Sequence, residues 1–269
     1  MSNTLRVGVF GACGRMGSAV CEAVAGEAGL ELVAAVDPPR AGQEVGPAGL
    51  VVSGTPAAMA EAGVEVAVDF TVAAAALANA TWCAENGVHA VVGTSGLAPG
   101  DLARLGQLFE ASTGANCLVA PNFAVGAVLM MRFAELAAPW FESVEIVELH
   151  HDGKIDAPSG TALLAAERIS AARRVGAAME SDKGRPTLRA ESSSAARGIE
   201  PVPGVRVHSV RLRGLVAHHE VLLGSAGQVL TIRHDSVDRS SFMPGVLLAV
   251  KEVPRLPGLT LGLESLLGL

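Results

Sequence analysis

The chain has no tyrosine, and aromatic residues make up 3% of its 269 positions. Proteins that hold single-stranded nucleic acid use aromatic platforms along a basic groove. Scarce aromatics and a formal net charge of -7 argue against such a surface, so no nucleic-acid partner is expected. Cysteine is sparse too. Cys13, Cys21, Cys83 and Cys117 lie far apart, with no Cys-x-x-Cys pair and no metal-ligand spacing. They read as reduced, mostly buried thiols, which fits a cytoplasmic protein, and no metal site is expected. Long apolar runs are missing as well. The longest, Ala124 to Met131, stops at Arg132, well short of the roughly 20 residues that span a bilayer, so no membrane partner is expected. The N-terminus enters an apolar run and then a glycine turn, which is not the shape of a signal peptide. Internal repeats and low-complexity segments are also lacking.

What the chain has is apolar content: 50% hydrophobic residues against 17% charged. That suffices for one large domain or two ordinary ones. Through the first half, short apolar runs alternate with helical patterns. Strand candidates are Leu5–Phe10, Leu30–Val36, Val64–Phe70, Val88–Val92 and Cys117–Ala120. Helix candidates are Met16–Ala28, Ala73–Glu85 and Pro99–Ala111. Repeated strand–helix–strand units imply a parallel sheet covered on both faces.

The second half reads differently. Ser143–His150 reads as a strand of unclean alternation, Ser159–Val175 as a helix, and 176–204 as a long loop. Val205–Leu212, Leu215–Leu223 and Gln228–His234 are three strands at hairpin spacing, which suggests an antiparallel or mixed sheet. A final helix near Phe242–Val250 is placed to return to the first domain. The expected class is α/β. A dinucleotide-binding domain over 1–122, completed by 237–269, joins an α+β domain over 123–236.

Gly11, Gly14 and Gly17 follow the first strand and open the first helix. Glycines there permit a tight turn and close backbone approach to a pyrophosphate, and the helix N-terminus favours an anion. Asp37 ends the second strand, where an acid accepts hydrogen bonds from ribose hydroxyls. The spacing varies on the common fingerprint, and a glycine turn with close helix packing is the plainer alternative. Taken with its context, the segment reads as a Rossmann-type nucleotide site. Asp37 favours NADH, since it repels a 2′-phosphate, while Arg15 and Arg40 leave room for NADPH. Two further turns, Gly93-Thr94-Ser95-Gly96 and Ala120-Pro121-Asn122-Phe123, end strands of the same sheet. Ligands in open α/β sheets bind at those ends, although ordinary loop chemistry explains both turns equally well.

In a negative chain, His150, His151 and Lys154 gather just ahead of Ser159-Gly160-Thr161. Ser159 is a plausible N-cap, and the N–H groups that follow it suit a carboxylate or phosphate. A small anion, most simply a carboxylate, is the natural ligand. A histidine or lysine near a nicotinamide can also give a proton as hydride arrives. Structural histidines and a mere helix cap are the plainer reading. His89, His208, His218, His219 and His234 lack such company and read as structural or peripheral.

The run Glu145 to Ala162 has the pattern ExxExHxxxKxDxPSGTA. It resembles the signature of the dihydrodipicolinate reductase family, the 4-hydroxy-tetrahydrodipicolinate reductases. The resemblance extends to the glycine loop, Val68-Asp69-Phe70-Thr71, the turn at 93–96, the segment 120–126 and the stretch from Arg233 to Gly245. It implies reduction of a cyclic imine dicarboxylate with loss of water, in the diaminopimelate route to lysine, by a homotetramer assembled through the second domain's sheet. It further implies His150 as proton donor and Lys154 as its cationic partner. His151, Ser159, Gly160, Thr161 and Ser95 would hold the substrate. Gly11, Ala12, Cys13, Gly14, Arg15, Met16, Asp37, Gly93 to Ser95 and Ala120 to Phe123 would contact NADH or NADPH. Gly153 stands where many relatives carry a further histidine, Ser95 replaces a common threonine, and Asp37 is followed by proline rather than arginine. Two other readings are an unrelated amino-acid or keto-acid dehydrogenase, which has no reason for the 145–162 run, and an NADH-sensing regulator, which needs a basic DNA-binding segment.

Overall fold

The computed structural model describes residues 4–94, 96–112, 114–175 and 197–269. The chain divides into two compact units, Met1–Val125 with Arg239–Leu269, and Gly126–Asp238.

In chain order the first unit contains β1 (Leu5–Phe10), α1 (Arg15–Gly26), β2 (Leu30–Val36), the two-residue strands β3 (Glu44–Val45) and β4 (Leu50–Val51), and α2 (Ala57–Glu61). It continues with β5 (Val66–Asp69), α3 (Ala73–Glu85), β6 (His89–Val92), α4 (Pro99–Ala111) and β7 (Cys117–Val119). From Val125 the second unit takes over with α5 (Val125–Ala137), β8 (Ser143–His150), α6 (Gly160–Val175), β9 (Ile199–Val202), β10 (Val205–Arg211), β11 (Ala217–Ser225) and β12 (Gln228–Ser236). The chain then returns to the first unit for α7 (Met243–Glu252) and β13 (Leu259–Leu261). Among the described residues no helix is long and apolar enough to cross a membrane.

The first unit is built on a six-stranded sheet in the order β13-β7-β6-β5-β1-β2, every neighbouring pair parallel. All four residues of β5 are buried, as expected of a parallel strand covered on both faces. Helix α1 packs against α7, and α3 against α4. Phe10, Met59, Leu105, Phe109 and Cys117 anchor the core. β13 escapes sequence reading because a three-residue edge strand carries too little pattern.

The second unit is a five-stranded mixed sheet in the order β12-β11-β8-β10-β9. It corrects two expectations. β10 and β11 do not pair as neighbouring strands. β8 lies between them, parallel to β10 and antiparallel to β11, so only β11 and β12 form a hairpin. The loop expected over 176–204 also contains β9, while residues 176–196 lie outside the described residues. One face of this sheet packs on α5 and α6 through Met130, Met131, Ile146, Ala165, Ile169, Val207, Val221 and Leu223.

Candidate active site

In the first unit, Gly11 adopts φ +68°, a region open chiefly to glycine. Its carbonyl accepts the Gly14 N–H at 2.9 Å. A Cβ on Gly17 would collide with that same carbonyl oxygen, so only glycine lets α1 begin this close to the loop. No side chain caps α1, leaving its first amides to an outside anion. The Asp37 carboxylate accepts the Cys13 N–H at 3.1 Å, and Arg40 donates to the Cys13 carbonyl at 3.3 Å. An acid and a cation therefore hold the two peptide groups on either side of Cys13. Burial and the Asp37 charge raise the Cys13 thiol against the opposing pull of Arg40, which keeps it an unreactive thiol. Ala12 is buried, while Arg15 is exposed and Met16 half-buried. A glycine cradle that a Cβ would fill, an uncapped helix start and an acid closing β2 together fit a dinucleotide.

The strand-end turns are tied to one another. Asp69 accepts hydrogen bonds from the Thr71 amide (2.7 Å), the Thr71 hydroxyl (2.6 Å) and the Asn79 amide (2.7 Å). Thr94 donates its hydroxyl to the Thr71 carbonyl at 3.0 Å, so that side chain serves the turn itself. Burial raises the Asp69 carboxyl, and these hydrogen bonds oppose the rise. The Phe70 ring lies 5.6 Å from that of Phe123 and fills the space a Cβ on Gly93 would need. Asn122 accepts the Ala124 N–H at 2.9 Å, Pro121 is exposed and Ala120 is buried. Ser95 lies outside the described residues.

In the second unit the central strand sets the site. Residues of β8 alternate, with Val144, Ile146, Glu148 and His150 on the buried row. The row begins in the apolar core and ends in a carboxylate and an imidazole. Glu148 is fully buried and His150 is 7% exposed. Nδ1 of His150 meets the Glu148 carboxylate in a short hydrogen bond. Arg211 of β10, in register with His150, clasps the same carboxylate from its two Nη atoms at 3.0 and 2.8 Å. Burial would raise Glu148, but hydrogen bonds from His150, Arg211 and Ser209 outweigh it and hold the group at about 2. An ionised Glu148 holds a proton on Nδ1 of His150 and leaves Nε2 as the nitrogen that can gain and lose a second.

Lys154 forms an ion pair with Asp156 at 2.8 Å. His151 is exposed, its ring lying over Gly153. Ser159 is buried and caps α6, its hydroxyl accepting the Ala162 N–H at 3.2 Å. Gly160 and Thr161 then form the first turn, where N–H groups lie ahead of any helical acceptor. The same Ser159 hydroxyl lies 3.0 Å from Nε2 of His219, whose ring stands edge-on to His150 at 5.2 Å. The structure thus corrects the peripheral reading of His219, which belongs to this cluster. His218 instead pairs with Asp235, and His208 with Glu145. Arg211 also went unread from sequence. It and His219 reach the site through cross-strand register, which leaves no local signal.

A parallel sheet with a glycine cradle, joined to a unit bearing imidazole, ammonium and a capped helix start, has the build of a nicotinamide-nucleotide oxidoreductase. Residues 5–123 match the family model described as dihydrodipicolinate reductase, N-terminus, and residues 126–267 match the one for its C-terminus. The chain belongs to the dihydrodipicolinate reductase family. It is 49% identical over 265 residues to 4-hydroxy-tetrahydrodipicolinate reductase of Streptomyces coelicolor, covering 98% of each chain. It is 51% identical to that of Nocardia farcinica, covering 99% of this chain and 100% of the other. A solved structure of dipicolinate-bound dihydrodipicolinate reductase from Paenisporosarcina sp. TG-14 superimposes with a TM-score of 0.84 at 37% identity, covering 97% of this chain and 99% of that one. An amine dehydrogenase from Mycobacterium smegmatis, at 16% identity and a TM-score of 0.61, shares the fold.

Proposed function

We propose that the chain reduces 4-hydroxy-tetrahydrodipicolinate to tetrahydrodipicolinate with loss of water, using a reduced nicotinamide dinucleotide, in the diaminopimelate route to lysine. One observation carries the reading. The buried row of β8 ends in a carboxylate-anchored imidazole, followed by a lysine and a capped helix start. The first unit is the dinucleotide domain, and the second is the substrate-binding and assembly domain.

The α6 start, through Gly160 and Thr161, seats a substrate carboxylate, with Ser159 fixing the turn and His151 and Ser95 as further contacts. Lys154 adds a cationic contact at the ring nitrogen. Loss of hydroxyl as water leaves a conjugated ring, whose C4 would take a hydride that a reduced nicotinamide supplies when held by the first unit's loops. His150 gives its Nε2 proton to the substrate while Nδ1–H stays on Glu148. One hydride and one proton enter and one water leaves, so the step balances.

The glycine loop from Gly11 to Met16, Asp37 and the turns at 93–95 and 120–123 hold the cofactor, and NADH serves at least as well as NADPH. A homotetramer is the assembly we favour. Its support is the sheet face turned from the core, where Val147, Leu149, Leu222 and exposed Val229 lie among the ion-paired Glu145, Glu220 and Arg233. Free cysteines throughout support a reducing, cytoplasmic setting.

The test mixes the protein with NADH and freshly generated 4-hydroxy-tetrahydrodipicolinate and follows nicotinamide absorbance. Turnover is expected. Cofactor binding without turnover would overturn the assignment.

A further inference from the structure

We propose that Glu148 and Arg211 are a positioning pair that aligns both proton-handling groups of the site, His150 and Lys154. The proposal rests on the catalytic roles proposed for His150 and Lys154 and extends them to two residues that touch no substrate in that reading.

Four contacts carry it. Arg211 grips Glu148 through its two Nη atoms. Glu148 accepts Nδ1–H of His150. The Nη2 of Arg211 also donates to the Asp156 carbonyl at 2.5 Å, and the Asp156 carboxylate holds Lys154. One guanidinium therefore braces the carboxylate behind the imidazole and the loop behind the ammonium. A planar fork with several fixed donors does this, whereas a lysine's single ammonium does not span the same acceptors.

The surroundings fit this role better than packing. Glu148 occupies a row whose earlier members, Val144 and Ile146, are core side chains. An apolar residue there would continue the core, and a fully buried carboxylate is poor evidence for stability. A carboxylate behind an imidazole fixes its tautomer and orientation, the arrangement that supports a histidine general acid in other enzymes. His219 on β11 stands edge-on to His150, and the charges acting on His219 are those of His150, Glu148, Lys154 and His234 on β12. Nδ1 of His150 meets Glu148, so the carboxylate sets that edge of the ring.

Glu148→Gln keeps the shape and an acceptor but removes the charge. Expected is a fall in kcat of at least ~10-fold, with the substrate KM, the Kd for pyridine-2,6-dicarboxylate and the Kd for NADH each within about twofold of the parent. Long-range ¹⁵N–¹H spectra of the imidazoles are expected to show Nδ1 of His150 protonated in the parent and only partly protonated in the variant. Arg211→Lys, which keeps the charge, is expected to lower kcat in the same way, and the double variant to be no slower than the worse single. It also carries the test if Glu148→Gln does not fold. Parental kcat in either folded variant overturns the proposal. So does a parallel loss of kcat and dicarboxylate affinity, which marks a merely structural pair. His150→Gln serves as the control. If it keeps parental kcat, the underlying reading of His150 fails, whereas a slow His150→Gln beside a fast Glu148→Gln sinks only the positioning pair.

Discussion

The Ser159 hydroxyl lies 3.0 Å from Nε2 of His219, a residue 60 positions further along the chain. That oxygen also accepts the Ala162 N–H, and the hydroxyl and the imidazole share one further hydrogen bond whose direction follows the His219 tautomer. Ser159 thus caps α6 and satisfies a buried imidazole at once. Ser159→Ala removes a cap, costing about 1 kcal/mol, and leaves a buried ring nitrogen unmade, costing about 1–3 kcal/mol more. Urea unfolding is expected to show a loss of about 2–4 kcal/mol, with a raised KM for the dicarboxylate. A loss below about 0.5 kcal/mol, the range of ordinary surface changes, would mean the contact carries no weight.

His219 also sets a pH dependence. Burial, then the charge of His150, lower it from its ordinary 6.5 to about 4. Because the folded value lies below the unfolded one, the unfolded chain takes up this proton first as the pH falls. The stability from neutral His219 is complete above pH 6.5 and declines until about pH 4. The slope approaches about 1.4 kcal/mol per pH unit. Glu148 acts in the window below, its contribution declining as pH falls from about 4.5 towards about 2. Unfolding midpoints measured between pH 4.5 and 7 are expected to fall on acidification in the parent. In His219→Gln they are expected to be flatter. An equal slope in both would assign the titration elsewhere.

These two residues also mark how far the sequence could be read. The glycine loop and Asp37 are legible because their geometry is local, a turn, a helix start and a strand end within one unit. The run from His150 to Thr161 is legible for the same reason. The second sheet is not. β8 inserts between β10 and β11, an order fixed by contacts far apart in the chain, so His219 and Arg211 gave no sign of their company. The unclean alternation of Ser143–His150 has a physical cause, since Glu148 and His150 occupy the row that Val144 and Ile146 begin. Local rules fail most often where a site is built. Helix α5 showed only as an apolar run, because a helix apolar around much of its circumference has no clear stripe.

The proposed proton donor and the proposed substrate seat separate by kinetics. If His150 acts mainly in the transition state, His150→Gln is expected to lower kcat by ~10²-fold or more with little change in KM. Lys154→Ala is expected to behave alike. Thr161→Val touches the helix-start seat and is expected chiefly to raise KM. Steady-state kinetics with varied substrate check all three. Near-parental kcat in both His150→Gln and Lys154→Ala contradicts a proton-handling role for either side chain.

Gly17→Ala tests the cradle. The added methyl meets the Gly11 carbonyl oxygen, a backbone atom that cannot swing aside. The helix start must back away from the loop, at a cost of about 1–3 kcal/mol for overpacking. Thermal unfolding is expected to register that loss. NADH titration by fluorescence is expected to show affinity falling by ~10-fold or more, since about 1.4 kcal/mol of lost contact already gives that factor. Parental affinity in a destabilised protein would detach the loop from the cofactor.

On the proposed reading, cofactor choice turns on two residues that meet at Cys13, Asp37 at its amide and Arg40 at its carbonyl. The carboxylate suits ribose hydroxyls and repels a 2′-phosphate. The guanidinium is the group best shaped to bind that phosphate. The three-residue turn Pro38–Arg40 folds Arg40 back to the loop, so proline after the acid does not remove the cation from reach. Arg40→Ala is therefore expected to lower kcat/KM for NADPH by ~10-fold, one charge-assisted contact, while leaving NADH within about twofold. Asp37→Asn is expected to raise NADPH use relative to NADH by relieving repulsion. Both ratios come from paired kcat/KM measurements at fixed low salt, where screening does not mask the charges. If Arg40→Ala weakens both cofactors equally, Arg40 supports the loop rather than reading the phosphate.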